Sequence, residues 1–233
     1  IDCIINCNAI TSFELCENEQ DIAFQINTIT PAILAEFCKL NSLKFVHIST
    51  DHYYSGKKID HSELDKITIF NQYAHSKREA EIRIKKNNPS ALITRTAIIG
   101  RNKYGNSFLD WAFKAANGKE NVNLFEDAYT SLIHCSSFVR LLFDLIEANC
   151  QGIINVGSSE VFSKAEFCIA LFKALKSTTK YQLSSVQQLN TKRANSCGLS
   201  IEKLKSFTSH NIPTMKDTVG IAIEEDQSLF KRV

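Results

Sequence analysis

An α/β fold, with helices on both faces of a parallel β-sheet, is the fold class that the sequence predicts. Short apolar segments alternate with longer segments of helical character, which is typical of successive β-α-β units. Two of the apolar segments, residues 1–7 and 43–49, lead directly into polar residues. Because parallel sheets bind ligands at the carboxyl ends of their strands, we expect the functional site at these two ends.

The predicted elements follow from apolar periodicity and from capping residues. Strands are predicted at residues 1–7, 43–49, 91–96, 121–125, 152–156 and 181–184. Helices are predicted at residues 21–40, 72–86, 108–116, 137–149 and 200–206, after the cap Ser163 as far as Leu175, and after Pro213. Helix 21–40 should be distorted near Pro31. Its apolar stripe consists of Ile22, Ile26, Ile29, Ile33, Phe37 and Leu40.

The composition is that of a globular protein. A chain of 233 residues can bury a full core, as one domain or as a large domain with a small lobe. The net charge of +2 provides no field that would recruit nucleic acid or an anionic membrane, so neither is an expected partner. There is no apolar run of transmembrane length and no signal-peptide pattern, and a cytoplasmic location is expected.

The eight cysteines show no paired Cys-x-x-Cys spacing, and most have apolar neighbours. Free thiols in a reducing compartment are therefore expected rather than disulfides. The same spacing argues against a zinc site, so no metal is expected.

Tyr73 and Lys77 lie four residues apart on the predicted helix 72–86, which Asn71 should cap. Side chains at this spacing share one helix face, so the ammonium could lie beside the phenol. At an effective dielectric of ~20, one positive charge would favour the phenolate by roughly 3–4 kcal/mol and make Tyr73 a usable acid–base group. The same spacing recurs in a predicted turn, in the pairs Tyr53–Lys57 and Tyr54–Lys58.

Six segments occur in the order IINCNAIT, ENEQDIAFQIN, FVHISTDHYYSG, NQYAHSKREAE, ITRTAIIG and KRANSCGLSIEKL. From Ile4 to about Phe207 the chain thereby resembles the extended short-chain dehydrogenase/reductase superfamily and, within it, the dTDP-4-dehydrorhamnose reductase family. The resemblance implies a Rossmann-type doubly wound parallel sheet with a smaller C-terminal substrate-binding lobe. Residues 1–149 would form the dinucleotide-binding domain, and residues 150–233 mainly the lobe, with some elements returning to the first domain.

A Rossmann site also needs a glycine-rich turn after its first strand, so that the backbone can approach the pyrophosphate. The eight glycines of this chain form no Gly-x-x-Gly-x-x-Gly motif, which in the resembled family lies upstream of IINCNAIT. We therefore expect that about two N-terminal glycine-rich βα units, on the order of 60 residues, are absent from the chain. The alternative is a product that has lost its cofactor half, although an open apolar edge at residue 1 would invite aggregation.

The resemblance implies an enzyme that uses NADPH or NADH to reduce the 4-keto group of a nucleotide-activated deoxysugar, for polysaccharide precursor synthesis. Tyr73 would donate the proton, Lys77 would contact the nicotinamide ribose and lower the pKa of Tyr73, and Thr50 would hold the substrate carbonyl. The implied cofactor-binding residues are Cys7, Asn8, Ala9, Ser49, Tyr73 and Lys77. The implied substrate-binding residues are Thr50, Asp51, His52, Ile98 and Arg193.

Four departures from the family pattern leave the sugar nucleotide open. They are His52 after Asp51, Ile98 in place of an aromatic residue, Ala194 after Lys192-Arg193, and Cys7-Asn8 in place of two alanines. His52 is either a third proton-transfer group or a packed loop histidine. Arg193 lies either near the nucleotide phosphates or simply on the surface. The adjacent Tyr53 and Tyr54 would cover the mouth of the pocket.

Two classes of function therefore stay open. The first is the sugar nucleotide reductase, with a nucleotide sugar as its substrate and a homodimer as one possible assembly. The second is a non-catalytic regulatory protein that binds a sugar nucleotide or dinucleotide on the same fold. Retention of Thr50, Tyr73 and Lys77 favours the enzyme, since a binding protein has no need of a tuned phenol. The preference between NAD and NADP cannot be read without a glycine-rich segment.

Overall fold

The computed structural model describes residues 1–118, 120–189 and 192–230. The strands are β1 Cys3–Asn6, β2 Lys44–Ile48, β3 Leu92–Thr96, β4 Ile98–Ile99, β5 Val122–Phe125, β6 Tyr129–Thr130, β7 Ile133–His134, β8 Gly152–Val156, β9 Phe162–Ser163, β10 Tyr181–Ser184 and β11 Ser196–Cys197. The helices are α1 Phe13–Asn18, α2 Gln20–Phe24, α3 Thr30–Leu40, α4 Gln72–Asn87, α5 Phe108–Asn117, α6 Cys135–Glu147, α7 Lys164–Ala174, α8 Glu202–Lys205 and α9 Met215–Phe230. Within these residues, none of the helices has the length and apolarity needed to cross a membrane.

The main sheet has four parallel strands in the order β1-β2-β3-β8. In its register Ile4 pairs with Phe45, and Val46 pairs with Leu92. The α/β class is therefore confirmed, and the two apolar segments at 1–7 and 43–49 are neighbours in one sheet. Their carboxyl ends lie at the same edge, as the sequence predicts.

Helices cover this sheet on both faces. On one face, Ala35 and Cys38 of α3 and Ile84 of α4 pack against Phe45 and Ile93 of the sheet. On the other, the apolar side of α6 packs on Val46, Leu92 and Ile154. Two buried layers therefore hold the strands in place and fix where their carboxyl ends lie.

The remaining strands form small sheets apart from the main one. Strands β5 and β10 pair in parallel, β6 lies between β9 and β11, and β4 pairs with β7. The segments 121–125 and 181–184, both predicted as strands, thus pair with each other. Strand β8 and helix α8, both after residue 150, pack together at the main sheet. The domain division at residues 149 and 150 stays a proposal.

The predicted helix 21–40 contains a wide turn of five residues, Gln25–Ile29, between α2 and α3. The distortion comes just before Pro31, which has no N–H to donate into a regular turn. An apolar stripe normally faces the core, but here Ile33, Phe37 and Leu40 are 60%, 50% and 78% exposed. The residues that face inward are small, which lets α3 approach α4 closely. They include Ala32, Ala35 and Cys38.

Candidate active site

A cavity of about 740 Å³ opens beyond the carboxyl ends of β2 and β3. Its wall includes Thr50, Asp51, His52 and Tyr73 from the two segments that the sequence singled out. Residues from the smaller sheets and from α5 and α7 complete it, among them Trp111, Tyr129 and Lys164. The structure therefore brings the predicted strand end and the predicted helix start to one site.

Helix α4 positions Tyr73. The Asn71 side chain accepts a hydrogen bond from the backbone N–H of Ala74 at 2.8 Å, which confirms the predicted cap. This cap fixes the first turn of the helix, and Tyr73 in that turn lines the cavity with 8% of its surface exposed. The phenol therefore faces the cavity from a rigid support.

The electrostatic state of Tyr73 differs from the prediction. Burial raises the pKa of Tyr73 to about 12, a hydrogen bond with Thr50 opposes this rise, and the charge of Asp51 adds to it. Lys77 was expected to lower the pKa of this phenol, and in the structure it is not among the groups that do so. The expected activation of the phenol by Lys77 is therefore not seen in this structure, in which Tyr73 is neutral at physiological pH.

The reason lies in where the amine of Lys77 points. Its Nζ donates to the backbone carbonyl of Ile48 at 2.6 Å and lies 3.1 Å from Nε2 of His47. Among the described residues, Lys77 has no hydrogen bond to Tyr73. The amine is thus bound to β2 instead of the phenol. Burial lowers the pKa of Lys77 to about 8, although the charges of Glu81 and Cys7 oppose this shift.

Asp51 is buried at the floor of the cavity. Thr50 Oγ1 donates to Asp51 Oδ1 at 3.4 Å, and Thr130 Oγ1 donates to Oδ2 at 3.4 Å. Burial raises the pKa of Asp51 to about 7, against the opposing charge of Lys164 and these hydrogen bonds. At neutral pH the carboxyl group is therefore divided between its protonated and ionised forms.

His52 packs in the cavity wall between aromatic rings. Its ring centroid lies 5.0 Å from that of Phe13 and 6.2 Å from that of Tyr73, both edge-on. Burial, together with the charges of Lys164 and Arg193, lowers the pKa of His52 to about 3. With this pKa the imidazole does not take up a proton at physiological pH and is only a weak base, which supports the packed histidine rather than a third proton-transfer group.

Two cations line the same cavity. Arg193 lies over the ring of Phe13, with Cζ 4.7 Å from the centroid, and Lys164 lies 5.4 Å from the centroid of Phe108. Within the part of the chain that the structure describes, neither has a carboxylate within 4.0 Å. The buried Nε of Arg193 also lacks a hydrogen-bond partner there. The predicted Arg193 is therefore in the cavity, and both charges are available to an anion.

Three side chains predicted near the pocket are occupied elsewhere. The hydroxyl of Ser49 donates to Glu81 Oε1 at 2.7 Å and lies 3.1 Å from the hydroxyl of Tyr53, so it does not face the cavity. Tyr53 and Tyr54 are fully buried rather than covering the pocket mouth. Both tyrosines are held in the interior by Arg95, which lies over the ring of Tyr53 and donates a hydrogen bond to the hydroxyl of Tyr54.

The other predicted residues divide between two places. Ile98 lines the cavity, where it takes the position of the expected aromatic residue. Cys7, Asn8 and Ala9 follow β1 outside the cavity lining, with Cys7 and Asn8 exposed. Cys7 is close enough to Lys77 for its charge to influence the pKa of the amine. These three residues therefore lie on the Lys77 side of the site.

Sequence reasoning missed Asn27 and Lys164. Asn27 lies in the wide helical turn, where its side chain bonds both the N–H and the carbonyl of Ile10 and donates to Ser76 Oγ. The available signal was an asparagine inside a predicted helix, four residues before Pro31. Lys164 is the first residue of α7, where the helix dipole disfavours a cation. That unfavourable placement could have marked it as a residue with another role.

A nicotinamide dinucleotide fits one end of this site. Two atoms in the described residues, the Ile48 carbonyl oxygen and His47 Nε2, lie within hydrogen-bonding distance of Lys77 Nζ, so an ammonium there can still donate to a ligand. The exposed residues after β1 lie on the same side. The pyrophosphate end has no counterpart in the described residues, because no glycine occurs before Gly56.

Comparison with known proteins identifies the family of the chain. The family model of the RmlD substrate binding domain matches residues 1–228. A probable low-salt glycan biosynthesis reductase of Haloferax volcanii is 26% identical over 172 residues, which cover 72% of this chain and 57% of that protein. The dTDP-4-dehydrorhamnose reductase of Mycolicibacterium smegmatis is 26% identical over 177 residues, covering 75% and 54%. The chain thus spans little more than half the length of these curated relatives.

A solved structure shows the same fold. The crystal structure of dTDP-4-dehydrorhamnose reductase from Bacillus anthracis in complex with NADP superposes with a TM-score of 0.87 at 23% identity, over 96% of this chain and 80% of that one. The family model covers nearly the whole sequence, and the solved structure has the same fold as this chain. The chain belongs to the RmlD substrate-binding domain family.

Proposed function

We propose that this chain carries the catalytic residues of a reductase that uses NADPH or NADH to reduce the 4-keto group of a nucleotide-activated deoxysugar. The observation that carries the proposal is the meeting of Thr50 and Tyr73 in the lining of one cavity, where Thr50 is close enough to lower the pKa of the phenol. Relatives named as dTDP-4-dehydrorhamnose reductase support this substrate class. A role in polysaccharide precursor synthesis follows from the same relatives.

The chemistry of reduction suits the state of Tyr73. A ketone that accepts a hydride must also receive a proton on its oxygen, and a buried phenol with a pKa of about 12 keeps its proton until it is needed. Thr50 would orient the carbonyl oxygen toward this phenol. When bound, the nicotinamide supplies the hydride, and Lys77 with residues 7–9 would hold that end of the dinucleotide.

The charge of the cavity suits a sugar nucleotide. Lys164 and Arg193 lack carboxylate partners among the described residues, while the one carboxyl group beside them, Asp51, is only partly ionised at neutral pH. A diphosphate placed here would meet two unpaired cations in a partly desolvated site, where charged hydrogen bonds are strongest. We propose that Asp51, His52 and Ile98 shape the sugar end of the pocket.

The regulatory alternative keeps one observation in its favour. Within the described residues Lys77 has no hydrogen bond to Tyr73, and its charge does not lower the pKa of the phenol. A binding protein of this kind would use the cavity without any turnover. We propose the enzyme in first place, located in the cytoplasm because its eight cysteines are free. A homodimer is the proposed assembly.

The proposal is tested by a reduction assay. The purified protein is mixed with NADPH or NADH and dTDP-4-dehydrorhamnose, and the absorbance of the reduced cofactor is followed at its nicotinamide band. We expect oxidation that requires the sugar nucleotide and a product reduced at C4, identified by mass spectrometry after use of deuterated cofactor. Binding of the sugar nucleotide without oxidation of either cofactor would instead support the regulatory protein.

A further inference from the structure

A chain of buried polar groups extends from Lys77 away from the cavity. Nζ of Lys77 lies 3.1 Å from His47 Nε2, and His47 Nδ1 lies 3.0 Å from the side-chain nitrogen of Asn6. The oxygen of the Asn6 amide then accepts from the backbone N–H of Asn8 at 3.3 Å. His47 and Lys77 are 0% and 1% exposed, so water does not compete for these bonds.

The imidazole of His47 is neutral in this position. Burial and the adjacent Lys77 hold the pKa of His47 well below its usual value. A neutral imidazole carries one N–H and one acceptor nitrogen, so its two ring neighbours cannot both be donors. Because Lys77 and the Asn6 amide nitrogen both lie within reach, the state of one neighbour restricts the other.

Two arrangements are compatible with a neutral His47 between these two neighbours. In the one that the atom positions describe, Asn6 donates to His47 Nδ1, so the proton is on Nε2 and points at Lys77. An ammonium has no acceptor, and this arrangement therefore requires Lys77 as a neutral amine. When Lys77 is an ammonium, Nε2 must accept, Nδ1 carries the proton, and the Asn6 amide must turn its oxygen toward His47. The N–H of Asn8 then loses its acceptor.

We propose that His47 is a positioning residue that holds Lys77 and couples its protonation, through the Asn6 amide, to the backbone N–H of Asn8. Both ends of this coupling are placed at the dinucleotide by the proposed function. A proton gained or lost at Lys77 would thus change the hydrogen-bonding capacity of the segment after β1. The inference rests on the proposed function for the role of Lys77, but the coupling itself belongs to the free protein.

The charged groups that face Lys77 set the pH range of the change. Glu81 on its own helix and Cys7 after β1 raise the pKa of Lys77, whereas burial lowers it to about 8 overall. His47 on β2 stays neutral throughout. The exchange of the two arrangements should therefore be centred near pH 8.

The test is NMR of the protein labelled with ¹⁵N-histidine, without cofactor or substrate, between about pH 6 and about pH 10. The two ring nitrogens of a neutral imidazole differ in chemical shift, so the spectrum reports which one carries the proton. His47 is assigned from the signal that is lost in His47→Gln. We expect the Nδ1–H tautomer at low pH, the Nε2–H tautomer at high pH, and an exchange near pH 8 with no imidazolium.

Two further measurements decide the origin of this exchange. In Lys77→Met, which keeps the volume but not the charge, His47 should show one tautomer over the whole range. In the wild-type protein, the ¹H–¹⁵N signal of Asn8 should shift with the same midpoint as His47, a readout that does not depend on any variant folding. A single tautomer in the wild type, an exchange that persists in Lys77→Met, or an Asn8 signal independent of pH would each overturn the proposal. None of these results bears on the reduction assay.

Discussion

Arg95 and Glu81 form a doubly hydrogen-bonded ion pair in the buried region that supports the candidate active site. Arg95 Nε donates to Glu81 Oε1 at 3.0 Å, and its Nη2 donates to Oε2 at 2.8 Å. Burial alone would raise the pKa of Glu81, but the hydrogen bonds and charge of Arg95 lower it. The pair connects α4, which carries Tyr73 and Lys77, to β3.

Glu81→Ala should reduce the free energy of unfolding by about 3–5 kcal/mol, because it leaves the guanidinium of Arg95 buried without its charge partner. Urea unfolding measures the change. The matched control is Glu79→Ala on the same helix, where the pair with Arg83 is partly exposed at 3.9 Å and should be worth less than about 1 kcal/mol. Equal losses in the two variants would contradict a special role of the buried pair.

Tyr73→Phe should lower the turnover number by about 10²- to 10⁴-fold, because the variant cannot give a proton to the ketone oxygen. The affinity for the dinucleotide should stay nearly unchanged, since the phenyl ring keeps the packing against Phe13. Steady-state kinetics and cofactor titration measure the two effects. Tyr181→Phe, at a half-exposed position in β10, serves as the control. Wild-type turnover in Tyr73→Phe would remove Tyr73 from the catalytic residues.

Asp51→Asn should change how stability depends on pH. The folded protein raises the pKa of Asp51 from 3.8 to about 7, so it holds this proton more tightly than the unfolded chain does. The carboxyl group therefore contributes stability at low pH that is lost as the pH rises from about 4 to about 7. Relative to the wild type, Asp51→Asn should gain on the order of 1–4 kcal/mol between about pH 4 and about pH 8.

Unfolding curves of the Asp51→Asn variant and the wild type at the two pH values measure this gain. The matched control is Asp60→Asn at an exposed position, which should keep the free energy of unfolding within about 0.5 kcal/mol of the wild type. A difference for Asp51→Asn that does not depend on pH would mean that the carboxyl group ionises normally in the folded protein.

Lys164→Gln should raise the KM for the sugar nucleotide by about tenfold, the value of one charge-assisted hydrogen bond, with a smaller effect on the turnover number. The effect should shrink as the salt concentration rises. Lys173→Gln on the same helix but exposed to solvent is the matched control. An unchanged KM in Lys164→Gln would show that the anion binds elsewhere in the cavity.

Much of the fold was predictable because its elements have local causes. Residues 152–156 and 181–184 are strands with the predicted bounds, and α7 begins after its cap Ser163. These boundaries follow from short apolar runs and from side chains that bond to nearby backbone groups. The two-residue strands β4, β6, β7, β9 and β11 could not be predicted, since they depend on partners distant in sequence.

The site was predictable as a set of residues but not as a set of bonds. Spacing alone places Tyr73 and Lys77 on one face of α4, yet it cannot show that Ile48 and His47 lie closer to the amine than the phenol does. The stripe on α3 failed for a similar reason. Periodicity separates the two faces of a helix but does not show which face is buried. In α3 the face with small residues is buried, because it allows close approach to α4.

The wide turn at Gln25–Ile29 also acts as a phase shift along the helix. Each residue of a regular helix advances the side-chain direction by about 100°. The extra residue in the wide turn therefore rotates the side chains of α2 relative to those of α3. Deleting a single residue there would restore a regular helix, but α2 would rotate by that angle relative to α3. Asn27 would lose its alignment with Ile10 and Ser76, which it now bonds. The length of this segment is therefore as constrained as its composition.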